Sequence, residues 1–150
     1  MLACVVALAA MLPLPGEAAP PPHAWLFGAW TGGLFPAPSP LTAAACLGQP
    51  TIIFTRDVVM RATLTEPTYI ERVVATARTG PGRTDFTFAP LAPPAADDAA
   101  NPLTALSAAP GGGFGCEAAD VLHVQRHGDN EISFPGCTDF PNPLVRCPSK

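Results

Sequence analysis

Thr51-Ile52-Ile53-Phe54-Thr55-Arg56-Asp57-Val58-Val59-Met60-Arg61-Ala62-Thr63-Leu64 is the stretch on which the fold turns. Ile52, Phe54, Val58, Met60, Ala62 and Leu64 recur at period 2, while Thr51, Thr55, Asp57, Arg61 and Thr63 take the other face. Side chains leave a strand on opposite faces in turn, so this alternation predicts a strand with one buried side. Arg56 breaks the pattern by falling on the apolar face. A straight strand of this length would also span roughly 45 Å at about 3.3 Å per residue, too long for a small domain. A bulge or sharp bend at Arg56-Asp57 answers both points. Arg56 and Asp57 are therefore candidates for a paired site at the bend. The simpler reading is a structural ion pair or plain exposure.

Downstream, Thr68-Tyr69-Ile70-Glu71 has the form of a capping box. Ile70, Val73, Val74 and Ala77 follow at i, i+3, i+4 and i+7, which predicts a helix over residues 69–78 ended by Gly80-Pro81-Gly82. Residues 84–88 read as a strand with Phe86 and Phe88 on one face. Residues 89–113 are rich in Ala, Pro, Gly and Asp and read as a low-complexity surface loop, with a lid over a site as the functional alternative. Residues 121–134 read as a hairpin around His127-Gly128-Asp129. Setting Leu122 opposite Phe134 and Val124 opposite Ile132 matches the apolar faces and brings His123 beside Ser133.

Upstream, residues 25–33 read as a first strand carrying Trp30, which is expected in the core against Ile52, Phe54 and Met60. The competing role for Trp30 is an exposed binding anchor. A Pro-rich connector follows at residues 35–40. Residues 2–12 are an apolar run of about 11 residues, against the roughly 20 of a membrane-spanning helix. With Pro13, Pro15 and the small residues before Ala19, the layout of residues 1–18 is that of a secretory signal peptide. No Lys or Arg precedes the apolar core. Residues 19–24 then form a Pro-rich tether, and residues 25–150 a single small domain.

The cysteines agree with export. Cys46, Cys116, Cys137 and Cys147 lie beyond the signal, an even number that predicts two disulfides in an oxidising compartment. Sequence proximity favours Cys137–Cys147 with Cys46–Cys116. The rival is Cys116–Cys137 with Cys46–Cys147. Zinc would need paired ligands such as Cys-x2-Cys, and that spacing is missing.

The formal charge of -4 argues against nucleic acid and against a basic membrane patch. Abundant Ala and Pro, with seven Arg and one Lys, resemble the usage of a GC-rich bacterial genome. The sequence carries neither a Gly-x-Ser-x-Gly elbow nor a phosphate loop. His123 remains as a surface candidate. Catalytic, cofactor-binding and metal-binding residues are assigned to none.

Gly28-Ala29-Trp30 resembles the Gly-x-Trp of lipocalin-type small exported barrels, which include bacterial protease inhibitors. The resemblance implies a Trp closing one barrel end, with the cavity or the loops binding a ligand or enzyme. The helix expected at residues 69–78 departs from that pattern, since such barrels continue there with strands. The fold expected is α+β and mainly antiparallel β: five or six strands in a strongly bent sheet or partial barrel, one short helix and two disulfides. The function expected is a small exported, non-enzymatic binding or inhibitor-like protein. Its partner is an unknown protein or small molecule, with no cofactor, nucleic acid or permanent membrane anchor. An envelope accessory protein and a small periplasmic hydrolase are the alternatives.

Overall fold

Residues 51–62 make a hairpin, where one bent strand was expected. The computed structural model describes residues 19–48, 51–62, 69–90 and 113–148. The expected signal segment, Thr68 and residues 91–112 of the low-complexity segment lie outside them. Strand β2 (Ile52–Phe54) reverses into β3 (Val58–Ala62) through Thr55-Arg56-Asp57, with Phe54 opposite Val59. Thr55 makes the turn: its backbone N–H and its hydroxyl donate to the Val58 carbonyl at 3.0 and 2.8 Å, and its Oγ1 accepts from the Val58 N–H at 3.0 Å.

A reversal changes which residues face inward. Ile52 and Phe54 are buried, then Val59 and Arg61, while Val58, Met60 and Ala62 lie on the half-exposed side. The period-2 pattern identified strands correctly but carried the wrong parity past the turn.

The predicted helix is also a strand, β4 (Tyr69–Gly80), paired with β3 and with β5 (Arg83–Phe88). Its register shifts between Val74 and Thr76. The extra residue of a bulge lets Val74 and Ala77 both pack on the core although their spacing is odd. That imitates helical spacing. The β-branched Ile70, Val73, Val74, Thr76 and Thr79 favour the extended form. The α-helix among the described residues is instead α1 (Ala43–Gly48), where the Thr42 hydroxyl accepts from the Ala45 N–H at 3.1 Å as its cap.

The remaining strands are β1 (Gly28–Gly32), β6 (Val121–Arg126), β7 (Glu131–Ser133) and β8 (Leu144–Arg146). Each strand is antiparallel to the next, and β8 pairs back onto β1 through Trp30↔Arg146, Thr31↔Val145 and Gly32↔Leu144. The sheet is therefore a closed eight-stranded barrel, where a partial one was expected. Closure removes the free edges that would otherwise invite association. In the β6–β7 hairpin, Gln125 faces Ser133 and Arg126 faces Ile132, two residues from the expected register. A slip of two preserves parity, so Leu122, Val124, Ile132 and Phe134 are buried as expected.

The disulfides are Cys46–Cys147 and Cys116–Cys137, with Cα separations of 5.5 and 3.9 Å. The pairing favoured by proximity fails because β8 intervenes, carrying Cys147 away along the barrel from Cys137. Two such bridges suit an oxidising, non-cytoplasmic location. No helix among the described residues is long and apolar enough to cross a membrane.

Candidate functional site

The barrel has two ends. The β2–β3, β4–β5 and β6–β7 turns lie at one, called here the floor. The connections from β1 to β2, β5 to β6 and β7 to β8 leave from the other, the mouth.

The floor is built on a 3-10 turn, Ala24–Leu26, so Trp25 precedes the first strand rather than opening it. Trp30 is fully buried; its Nε1 donates to the Leu26 carbonyl at 2.8 Å. The Arg146 guanidinium lies 4.3 Å from the Trp30 ring centroid and donates to the carbonyls of Phe27, at 2.9 Å, and Trp25. Burial and the charge of Arg126 lower the Arg146 pKa from its ordinary value. Within the Pro-rich segment, His23 is buried edge-on to Phe27 and Phe86. Its Nε2 lies 3.0 Å from the Arg56 carbonyl and 3.3 Å from that of Thr55, so Nε2 carries the proton that is donated.

Of the expected core contacts of Trp30, Ile52 is its cross-strand partner and Phe54 shares its cluster. Met60 stands on the other face of β3.

The mouth is closed by side chains that sequence patterning did not single out. Phe114 is buried with its ring centroid 5.7 Å from Phe88 and 5.8 Å from both Phe134 and Phe140. Arg61 donates to the Gly113 carbonyl and to Asp139 Oδ2 at 2.9 Å, and lies over the Phe140 ring. Arg72, fully buried, donates to the Ala119 carbonyl at 2.9 Å and to Asp120 Oδ1 at 2.6 Å, and lies over Phe88. The Cys116–Cys137 bridge joins the two connections that meet there. Gly115, at φ +64°, passes so close to Asp139 that no Cβ would fit. Alternation flanking Arg61 and Arg72 was the available signal. Their partners, 78 and 48 residues away, were invisible in it.

Arg56, Asp57 and His123 are not gathered into one cleft. Arg56 and Asp57 are exposed at the β2–β3 turn, and no ion pair joins them among the described residues. His123 stands on the outer face of β6, its Nδ1 2.5 Å from Asp85 Oδ1, which also accepts from Arg83 Nε at 2.5 Å. Desolvation pushes the Asp85 carboxyl up, but hydrogen bonds and charge from Arg83 and His123 outweigh it and hold its pKa below the ordinary value. Ser133 pairs with His127 Nε2 at 2.7 Å rather than with His123. Both groups are in the open, with no orienting carboxylate described, so the pair lacks the third member of a nucleophilic triad. No group of three His, Cys, Asp or Glu among the described residues could hold a metal ion.

Among the described residues, two grooves lie on the outside of the barrel. One, of about 620 Å³, runs beside the Cys46–Cys147 bridge between Leu41, Ala29, Val145 and Pro148. The other, of about 470 Å³, is formed at the mouth by residues of the β7–β8 connection, among them Pro135, Pro141 and Pro143. The barrel interior itself is occupied by Trp30, six phenylalanines, and Leu, Ile and Val side chains. No protein-family model, curated protein or solved structure matches this chain.

Proposed function

We propose that this protein is a small exported binding module, inhibitor-like in kind, that engages its partner through its outer surface and loops. The filled interior is the observation that carries this reading. A carrier barrel keeps a ligand cavity of a few hundred Å³. Here the corresponding space holds the Phe54, Phe86, Phe88, Phe114 and Phe134 rings. Each end is closed by an arginine laid on an aromatic ring, buried at the mouth and half-buried at the floor. Placing Trp30 at the floor agrees with what Gly28-Ala29-Trp30 implies in lipocalin-type barrels. The scattering of Arg56, Asp57 and His123 weighs against the hydrolase alternative.

The test is titration of the oxidised protein with 1-anilinonaphthalene-8-sulfonate and with long-chain fatty acids. Surface binding predicts no saturable, stoichiometric uptake of either. One-to-one uptake that is lost on filling the interior further, as in Val124→Phe, would make the barrel a carrier and overturn the reading.

A further inference from the structure

The two disulfides differ in how a reductant can reach them. Cys46 is fully buried in α1, and Cys147 is 8% exposed. The Cys147 N–H donates to the Ala29 carbonyl at 2.9 Å, continuing the β1–β8 pairing that closes the barrel. Turning the Cys147 sulfur out to solvent therefore means lifting the chain from that seam. Cys116 and Cys137 instead lie on connections, and neither belongs to a strand. Cys137 is 5% exposed, but Cys116 is only half-buried, the most open of the four bridged cysteines. Glu117, Ala118 and Ala119 beside it are exposed, and Gly115 before it carries no side chain to screen it.

Breaking the Cys116–Cys137 bond does not scatter its ends. Arg61 donates to the Gly113 carbonyl on one connection and to Asp139 on the other. The Thr138 N–H and hydroxyl both donate to the Gly115 carbonyl, at 2.9 and 3.1 Å. These bonds clasp the two connections on either side of the bridge, so the sulfurs stay neighbours when the covalent link is gone. The strand pairing of the barrel includes neither cysteine. We propose that Cys116–Cys137 is a reversible redox switch of the mouth, reduced in the folded protein by an external dithiol while Cys46–Cys147 stays oxidised. The dithiol's thiolate attacks the Cys116 sulfur; the S–S bond breaks, and Cys137 leaves as a thiolate and takes a proton. The second thiol of the reductant then displaces Cys116, which is protonated in turn. The bridge has gained two electrons and two protons, and the dithiol has become a disulfide. Reduction loosens the Phe114 to Asp120 and Cys137 to Phe140 segments, and with them the groove wall to which Cys137 contributes. Reoxidation between clasped thiols is intramolecular and returns the same pair. This inference stands apart from the surface-binding reading, and either can fail alone.

Timed reduction of the oxidised protein with dithiothreitol, without denaturant, tests it; free thiols are alkylated with N-ethylmaleimide and mapped by peptide mass. Cys116 and Cys137 are expected to be labelled together, at least about a hundredfold faster than Cys46 and Cys147, whose exposure waits on rare unfolding. The partly reduced protein should keep its strand circular dichroism while the amides of Phe114 to Asp120 exchange at least about tenfold faster. Replacing the reductant with oxidised glutathione should restore slow exchange and the Cys116–Cys137 link. A monothiol, 2-mercaptoethanol, quenched early with acid, should be found on Cys116. Both bridges reduced at one rate, Cys46–Cys147 reduced first, or no reduction without denaturant would overturn the proposal. So would an early adduct on Cys137, unchanged exchange after reduction, or mispaired reoxidation.

Discussion

At the floor, Arg146 lies over Trp30 and donates to backbone carbonyls; at the mouth, Arg61 and Arg72 lie over Phe140 and Phe88 and each also meets a carboxylate. Both ends solve one problem, how to cap an apolar barrel with a cation, half-buried at the floor and buried at the mouth, without leaving it unsatisfied. The floor does so with groups that lie along the chain next to β1, so its cap forms as the first and last strands pair. The mouth does so with Asp120 and Asp139, on the connections that follow β5 and β7. Its closure depends on those connections coming together and on the bridge that joins them. The floor is thus part of the sheet, and the mouth is a lid of loops fastened to it.

The disulfides offer the largest expected break in that comparison. Loop-closure entropy scales with the chain enclosed, so removing Cys46–Cys147, which spans 101 residues, should cost about 4.7 kcal/mol. Removing Cys116–Cys137, which spans 21, should cost about 3 kcal/mol. Urea unfolding of the two double-alanine variants measures both. The reverse order would make the lid, and not the sheet, the principal support of the fold. Trp30→Ala comes next, at about 3–5 kcal/mol for a buried aromatic, read from the same midpoints. A harmless Trp30→Ala would mean that the floor is not anchored by its ring.

The sequence made parts of this legible and hid others for identifiable reasons. The apolar faces of residues 121–134 and Phe86 with Phe88 were readable because each rests on alternation within uninterrupted strands, and Trp30 because a large ring on a strand between glycines needs a packed partner. The presence of two disulfides followed from an even cysteine count. What failed was parity across irregularities. The turn at Thr55-Arg56-Asp57 and the bulge between Val74 and Thr76 each shift the pattern by an odd step. The first hid Arg61 as a core residue, and the second gave a strand the spacing of a helix. The disulfide partners, and the Asp139 and Asp120 partners of Arg61 and Arg72, are products of topology, which local spacing does not contain.

Smaller effects sharpen the contrast at the mouth. Asp120→Asn and Asp139→Asn should each cost about 1–2 kcal/mol, because each removes a charge-assisted bond to a buried arginine from a carboxylate that is itself half-exposed. Calorimetry should show both losses shrinking in high salt, since partly exposed pairs are screened. Arg146, bonded to carbonyls, offers the floor no counterpart.

The smallest effect lies outside both ends. The folded Asp85 pKa is depressed, so its contribution is present above the unfolded value, about 3.9, and is lost as pH falls through the folded one. Asp85→Asn should therefore be less stable than the parent at neutral pH, by under about 1 kcal/mol for so exposed a group. The two should converge in acid. A difference that grows as pH falls would reverse the assigned sign.

Hydrogen exchange on the Cys116→Ala/Cys137→Ala protein tests most directly whether the barrel is a sheet-built floor under a fastened lid. Exchange is expected to accelerate at Phe114 to Asp120 and at Cys137 to Phe140, while the amides of β1 and β8 that close the barrel keep their protection. Equal acceleration of β1, β8 and the mouth would contradict the account, because the two ends would then be one cooperative unit.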